Sequence, residues 1–236
     1  ALSYAWQGKR QLSQSLAAAE QATHLAPDHP LAWARRAELE LALARVTAGA
    51  ESARHALALA PDTPRAQAMA AFARLLMGQV EAAIAEFEAA LSLNGAEPLA
   101  HFGLGLAHVR QGDFVAGRRE IEIAVLLDPS NAELRSYLGR SYLAEKRDRL
   151  AGEQFDLARR LDPASPTPWY FDAFRKQQSR DFLAAIADGE QAVAHNDQRA
   201  VLRSDELLDQ DRAARAASLG DAYREVGWYG PMQTQA

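Results

Sequence analysis

Apolar and helix-breaking residues recur along this chain with a period of 34 residues. The period is marked by a proline or a residue in its place: Pro27, Pro61, Gly95, Pro129, Pro163 and Asp197. Five residues before each mark stands an alanine: Ala22, Ala56, Ala90, Ala124, Ala158 and Ala192. A strict period of this length indicates one supersecondary unit that is repeated. The pattern therefore predicts a solenoid and not a compact enzyme core.

Each repeat contains two helical patterns separated by a turn. In the repeat that ends at Pro129, Leu104 and His108 have the spacing of one helix. Gly112 interrupts that pattern, and a second helical pattern continues through Ile121. A proline ends the second pattern because it lacks an amide donor and its ring clashes with the preceding turn. The repeats therefore predict an all-α fold of antiparallel helix pairs.

Two parts of the chain depart from the period. The repeat that begins at Pro30 has Arg36 and Glu40 where apolar residues are expected, so we expect its first helix to be rotated or bent. After Asp197 the period slips, and the next first-helix pattern, at Leu219, comes 13 residues late.

These observations predict three segments. Residues 1–197 form about six repeats, of which the first is truncated at its N-terminus. Residues 198–229 form an extra helix and a half-repeat that caps the stack, since the end of a solenoid exposes an apolar face. Residues 230–236 form a disordered tail. The chain starts inside a helical pattern without an initiator methionine, so we expect it to be a fragment of a longer protein.

The residues of each repeat resemble the tetratricopeptide repeat. One repeat carries the pattern as Leu138, Gly139, Tyr142, Ala151, Phe155, Ala158 and Pro163. The resemblance covers about residues 1–197 and again about 213–229. It implies a right-handed α-solenoid of antiparallel helix pairs, in which the first helices line a concave face that binds peptides.

Transfer of the concave positions onto this chain gives a candidate peptide-binding surface. Its residues are Arg65, Phe72, Leu75, Leu76, Phe102, Leu106, Val109, Arg110, Arg140, Tyr170 and Phe174. An exposed apolar patch with charged residues at its rim is a usual mark of a partner surface. Two alternatives remain open at this point: the same residues pack between repeats, or they mediate self-association.

Composition excludes several classes of function. The formal net charge of -5 argues against a nucleic-acid partner, which usually needs a basic face. No apolar run approaches the ~18 residues that cross a bilayer, so no membrane insertion is expected. The absence of cysteine removes disulfides, thiol catalysis and thiolate zinc sites.

The stretch 203–211 is similar to a segment of repeat proteins of the Gram-negative envelope. This similarity favours a bacterial periplasmic or envelope location over the cytosol.

The sequence contains no recognisable catalytic or metal-binding motif. No pair of the six histidines has the i, i+4 spacing of a zinc helix, and no nucleophile motif such as Gly-x-Ser-x-Gly occurs. The acidic stretch 205–211 lacks the glycine and the twelfth-position glutamate of a calcium loop. We therefore predict no catalytic, cofactor-binding or metal-binding residues.

The sequence supports two functions. The first is a non-catalytic scaffold that binds a peptide or protein segment on its concave face. The alternative is the repeat module of a larger bacterial envelope export or assembly protein, or of an enzyme, whose other domain is missing from this chain. Self-association through the C-terminal half-repeat is a further possibility under either function.

Overall fold

The computed structural model describes residues 1–9, 11–195 and 221–225. Twelve helices follow one another in the described residues up to 195, and no strand occurs in any described range. The helices are α1 (Leu2–Gly8), α2 (Leu12–Leu25), α3 (Pro30–Ala42), α4 (Val46–Leu59), α5 (Pro64–Leu76), α6 (Val80–Leu93), α7 (Pro98–Gln111), α8 (Phe114–Leu127), α9 (Ala132–Ala144), α10 (Asp148–Leu161), α11 (Pro166–Gln178) and α12 (Phe182–Ala194). The predicted all-α fold of consecutive helix pairs is confirmed.

The helix boundaries follow from the repeated residues. Proline occupies the first position of α3, α5, α7 and α11, where its missing amide would have no intrahelical partner. Helix α9 begins differently, with the Asn131 side chain accepting hydrogen bonds from the amides of Glu133 and Leu134 at 3.1 and 3.2 Å. An asparagine cap therefore replaces the proline in that repeat.

The turns inside the five helix pairs from α3–α4 to α11–α12 each have a left-handed residue at the same position of the period. These residues are Ala44, Gly78, Gly112, Lys146 and Arg180, with φ between 58° and 93°. Only two of the five are glycines, although a side chain costs about 1–2 kcal/mol in this conformation. The turn geometry is therefore maintained by the packing of the two helices rather than by glycine alone.

The chain divides into two compact bodies. Among the described residues, the N-terminal body comprises residues 1–9 and 11–130, with α1–α8, and the C-terminal body comprises residues 131–195 and 221–225, with α9–α12. In the N-terminal body, the first helices of neighbouring pairs contact each other, as α3 does α5 and α5 does α7. In the C-terminal body, α9 contacts α11 in the same way.

The alanine that stands five residues before the closing residue of each repeat is closely packed in five of the six repeats. Ala56 is fully buried and forms a cluster with Ala34 and Ala66 of the flanking first helices. The equivalent alanines from residue 90 onward are fully buried as well. Ala22 is the exception, being exposed on α2, whose paired helix α1 has only seven residues.

Helix α3 is not rotated, contrary to the expectation from Arg36 and Glu40. Its buried positions include Ala34, Ala37 and Leu41, which are the counterparts of buried positions in α5 one period later. Glu40 is buried but paired: it accepts hydrogen bonds from Arg36 Nε at 2.7 Å and from the Ser52 hydroxyl at 2.6 Å. A polar pair therefore takes the place of apolar contacts without changing the register of the helix.

Most of the predicted C-terminal cap (198–229) and all of the predicted disordered tail (230–236) lie outside the described residues. The described part, 221–225, is helical and belongs to the C-terminal body. Ala222 is buried there, and the Tyr223 hydroxyl donates a hydrogen bond to Glu190 Oε1 of α12 at 2.5 Å. Burial and this carboxylate raise the pKa of Tyr223 to about 12.

Candidate functional site

Three residues of the predicted peptide-binding surface lie in the core. Phe72, Leu75 and Phe102 are each less than a tenth exposed. The Phe72 ring makes an edge-on contact with Phe87 at 4.9 Å between centroids and lies 6.4 Å from Phe102. The expectation that these three side chains form an open apolar stripe is therefore corrected, because neighbouring helices cover them. They instead fit the alternative of packing between repeats.

The other predicted residues of the N-terminal body remain accessible to different degrees. Leu76, Leu106 and Val109 are partly buried, and Arg110 is exposed. Arg110 Nη1 donates a hydrogen bond to the Leu75 carbonyl at 2.5 Å, which satisfies a carbonyl in the last turn of α5. One nitrogen of the Arg110 guanidinium therefore links α7 to α5.

Arg65 is held in place by a buried carboxylate. Its Nη2 donates to Glu38 Oε2 at 2.8 Å, and the same oxygen lies 3.1 Å from Arg35 Nη1. Burial acts to lower the pKa of Arg65, but the charge and the hydrogen bond of Glu38 outweigh it, so that the pKa is raised. Arg65 therefore keeps its charge at the surface of the N-terminal body.

The C-terminal body presents the most exposed members of the predicted surface. Phe174 is 47% exposed on α11, and Tyr170 one turn earlier is partly buried. Arg140 of α9 is exposed, and its guanidinium carbon lies 5.4 Å from the centroid of the Phe171 ring. A cation over an aromatic face is attracted by the ring quadrupole, so Phe171 positions Arg140 without neutralising it.

Sequence reasoning missed a buried ionic network in the C-terminal body. Asp172 of α11 accepts hydrogen bonds from Arg159 Nη2 of α10 at 2.8 Å and from Arg175 Nε at 2.6 Å. Lys176 Nζ donates to Asp188 Oδ2 of α12 at 2.6 Å and lies 3.4 Å from Asp172 Oδ2. The network therefore ties three successive helices together.

The two aspartates of this network have opposite pKa shifts. For Asp172, burial acts to raise the pKa, but the hydrogen bonds from Arg175 and Arg159 outweigh burial and the pKa is lowered. For Asp188, burial dominates over the contact with Lys176 and raises the pKa. Asp172 therefore keeps its charge to a lower pH than Asp188 does.

The described residues contain no group of three or more histidine, aspartate or glutamate side chains arranged to hold a metal ion. His101 is engaged structurally, with Nδ1 2.6 Å from Glu120 Oε2 and Nε2 3.1 Å from the Gly95 carbonyl. None of the helices in the described ranges has the length and apolar character that crossing a membrane requires.

Comparisons with known proteins agree with the repeat architecture. Two repeat models match the chain, one described as "TPR repeat" over residues 73–112 and one as "Tetratricopeptide repeat" over residues 105–166. The search of curated proteins found no match.

Similar solved structures include a chain of the APC/C hetero-tetramer Cut9–Hcn1, with a TM-score of 0.80 and 15% identity. That match covers 92% of this chain, which spans only 40% of the other. A thermophilic TPR protein of Thermus thermophilus, TTC0263, has a TM-score of 0.62 and 21% identity, covering 69% of this chain and 89% of its own. YrrB, titled a TPR protein with an unusual peptide-binding site, has a TM-score of 0.51 and 18% identity, covering 75% and 92%.

At these identities the structural likeness establishes the fold alone. The two repeat models, the 34-residue period and the consecutive helix pairs agree with one another. The chain therefore contains tetratricopeptide repeats, which the two models match over residues 73–166.

Proposed function

We propose that this chain is a non-catalytic scaffold that binds a peptide or protein segment on the concave face formed by its first helices. Tetratricopeptide repeats suggest protein–protein interaction in general, and YrrB, similar at 18% identity, is described by its peptide-binding site. The observation that carries the proposal for this chain is the exposed pair Arg140 and Phe174 on the first helices α9 and α11.

The chemistry of this pair indicates the kind of segment it binds. Arg140 stacks over Phe171 and forms no ion pair among the described residues, so its charge is available to a carboxylate. Phe174 offers an aromatic surface for an apolar side chain, and aromatic and arginine residues dominate the energy of many interfaces. An acidic segment or a C-terminal carboxylate next to an apolar residue is the occupant that fits both groups.

The N-terminal body offers a second, more polar candidate surface. Arg65 keeps its charge there, Arg110 is exposed, and Leu106 and Val109 of the first helix α7 are partly buried. Because Phe72 and Phe102 are in the core, replacing them would test stability and not binding. The residues whose replacement tests this surface are therefore Leu106 and Arg110.

The experiment is a selection of displayed random peptides on the full chain, followed by affinity measurement of an enriched peptide by fluorescence anisotropy. We expect Arg140→Ala combined with Phe174→Ala to weaken binding at least tenfold, because the interface loses both its cation and its aromatic anchor. The affinity is also expected to fall with salt, as for any partly exposed ionic contact.

A matched control removes an arginine and an apolar residue from two second helices. Arg160→Ala combined with Leu183→Ala, at exposed positions of α10 and α12, is expected to leave the affinity unchanged. A parallel variant, Leu106→Ala with Arg110→Ala, shows whether the N-terminal body binds instead. The proposal is wrong if no peptide is enriched, or if the enriched peptides bind all three double variants as well as the original chain.

A further inference from the structure

Helix α8 exposes far more apolar surface than the other second helices. Its exposed large apolar residues are Phe114, Val115, Ile123, Leu126 and Leu127, and Leu126 is 78% exposed. Helices α2, α4, α6 and α10 each expose a single leucine, at their last residue. Single exposed apolar residues are ordinary on a protein surface, but a concentration of five on one 14-residue helix indicates a contact surface.

Part of this surface forms one narrow stripe along the helix. At about 100° per residue, Val115, Arg119, Glu122 and Leu126 lie within roughly 60° of one another around the helix axis. We call these four residues the α8 stripe. It has an apolar residue at each end and two opposite charges in the middle. Ile123 flanks it on one side.

The α8 stripe is complementary to itself in the antiparallel orientation. When two copies of α8 are related by a twofold axis centred between residues 120 and 121, Val115 of one copy faces Leu126 of the other. The same axis places Arg119 of one copy opposite Glu122 of the other, twice per dimer. An isologous interface requires this reciprocity, in which residue i contacts residue j and residue j contacts residue i.

Arg119 supplies the positive charge for this pairing. Arg119 is exposed and forms no ion pair among the described residues. Arg118 binds Glu122 in the same helix at 2.5 Å, and a carboxylate accepts hydrogen bonds from two guanidinium groups. Each Glu122 therefore lies between Arg118 of its own copy and Arg119 of the other.

The repeat itself provides a comparison for this pattern. One period earlier, α6 has Glu81, Ala89 and Ser92 at the positions of Val115, Ile123 and Leu126. The fold therefore does not require apolar residues at these positions, since α6 forms the same kind of helix pair without them. Their presence on α8 calls for a function other than the packing of the repeat.

We propose that the α8 stripe is a self-association surface, and that this chain forms a twofold dimer through antiparallel packing of α8 against α8 of a second copy. Its residues belong to a second helix and are not among the first-helix residues of the proposed peptide-binding site. Dimerisation through it makes the scaffold bivalent, which strengthens binding to partners that carry two binding segments.

The first experiment is sedimentation equilibrium of the full chain over a wide concentration range, with charge variants. We expect a monomer–dimer equilibrium for the original chain. Arg119→Glu alone and Glu122→Arg alone are each expected to weaken dimerisation at least tenfold, because each creates two like-charge contacts per dimer. An equimolar mixture of the two variants is expected to dimerise again, because every contact in the mixed dimer joins opposite charges.

The second experiment tests the register of the dimer. The chain has no cysteine, so single cysteines introduced at exposed positions report only the designed contacts. A mixture of Val115→Cys and Leu126→Cys copies is expected to form a disulfide-linked dimer at least several times faster than either variant alone. The matched control is a mixture of Glu81→Cys and Ser92→Cys copies, the equivalent positions on α6, which is expected to show no such preference.

Three results would each overturn the proposal. The first is a chain that stays monomeric at the highest concentration measured. The second is a dimer that the charge variants do not weaken or that their mixture does not restore. The third is a mixture of the α8 cysteine variants that cross-links no faster than the α6 control. Circular dichroism spectra that match the original chain establish that each variant is folded.

Discussion

Replacing Asp172 with asparagine is expected to lower the free energy of unfolding by about 3 kcal/mol, the largest effect we expect from a single substitution. The Asp172 side chain is 2% exposed and accepts hydrogen bonds from Arg159 and Arg175. Loss of its charge leaves two guanidinium groups and the Lys176 ammonium without their common anion in a buried environment. The three cations are 14–22% exposed, which places the effect at the lower end of the range for broken buried pairs.

The measurement is denaturant-induced unfolding followed by circular dichroism. The control is Asp156→Asn, which removes a carboxylate from the same Arg159 guanidinium, 2.7 Å away, but at a position that is 60% exposed. Exposed ion pairs contribute about 0–1 kcal/mol, so the control is expected to change stability little. Equal effects of the two substitutions would show that burial of the network does not determine its contribution.

The same carboxylate predicts a pH dependence of stability. The pKa of Asp172 is lower in the folded chain than in the unfolded chain, where it is about 3.9. A lowered folded-state pKa means that the stabilisation by Asp172 is fully present above about pH 4 and is lost as the pH falls through the folded-state value. The difference in stability between the original chain and Asp172→Asn is therefore expected to shrink as the pH is lowered below about 4.

The fold was predictable because its determinants are local and repeated. Proline at positions 30, 64, 98 and 166 begins a helix in each case, and the alanines at 56 and 90 are buried contacts. A 34-residue period places these signals in the same order in every repeat, so that one repeat predicts the next. Helix pairs that contact only their neighbours need no long-range information beyond this order.

The candidate surface was only partly predictable because accessibility depends on neighbouring helices. Helical spacing places Phe72, Phe102 and Phe174 on equivalent faces of first helices, but only Phe174 is exposed. The Phe87 ring of α6 packs against Phe72 of α5. The sequence pattern of α5 alone does not predict that contact. Periodicity identifies a face of a helix, and the side chains of other helices decide whether that face is open.

The ionic network could not be recognised from charge patterns. Arg159, Asp172 and Asp188 come from three helices, and each alone is indistinguishable from an ordinary surface charge in the sequence. One signal was present: Asp172 lies in the interior of a helix, where aspartate is unfavourable compared with most residues. Arg175 and Lys176, one turn later on the same helix, are two of its cationic partners.

Replacing Gly105 with alanine is expected to destabilise the chain by about 2 kcal/mol, although alanine is the better helix former. A Cβ at Gly105 of α7 would lie 2.8 Å from the Gly117 carbonyl oxygen of α8 and 2.7 Å from Ile121 Cγ1. Gly117 approaches α7 in the same way, since its own Cβ would lie 2.7 Å from the Gly105 carbonyl. The two helix backbones are therefore in direct contact, and a methyl group between them forces the helices apart and disturbs the packing around them.

Gly152 provides the control, because it lies inside α10 but has room for a methyl group. The nearest atoms to a Cβ there belong to the Arg175 guanidinium at 3.5 Å, an ordinary van der Waals distance. Gly152→Ala is therefore expected to stabilise the chain by roughly 0.5–1 kcal/mol, the gain in helix propensity without a clash. Opposite signs of the two substitutions in denaturant unfolding would show that α7 and α8 require glycine at their contact. Stabilisation by both would mean that the helices separate at no cost, and that the glycine pair does not determine how closely they pack.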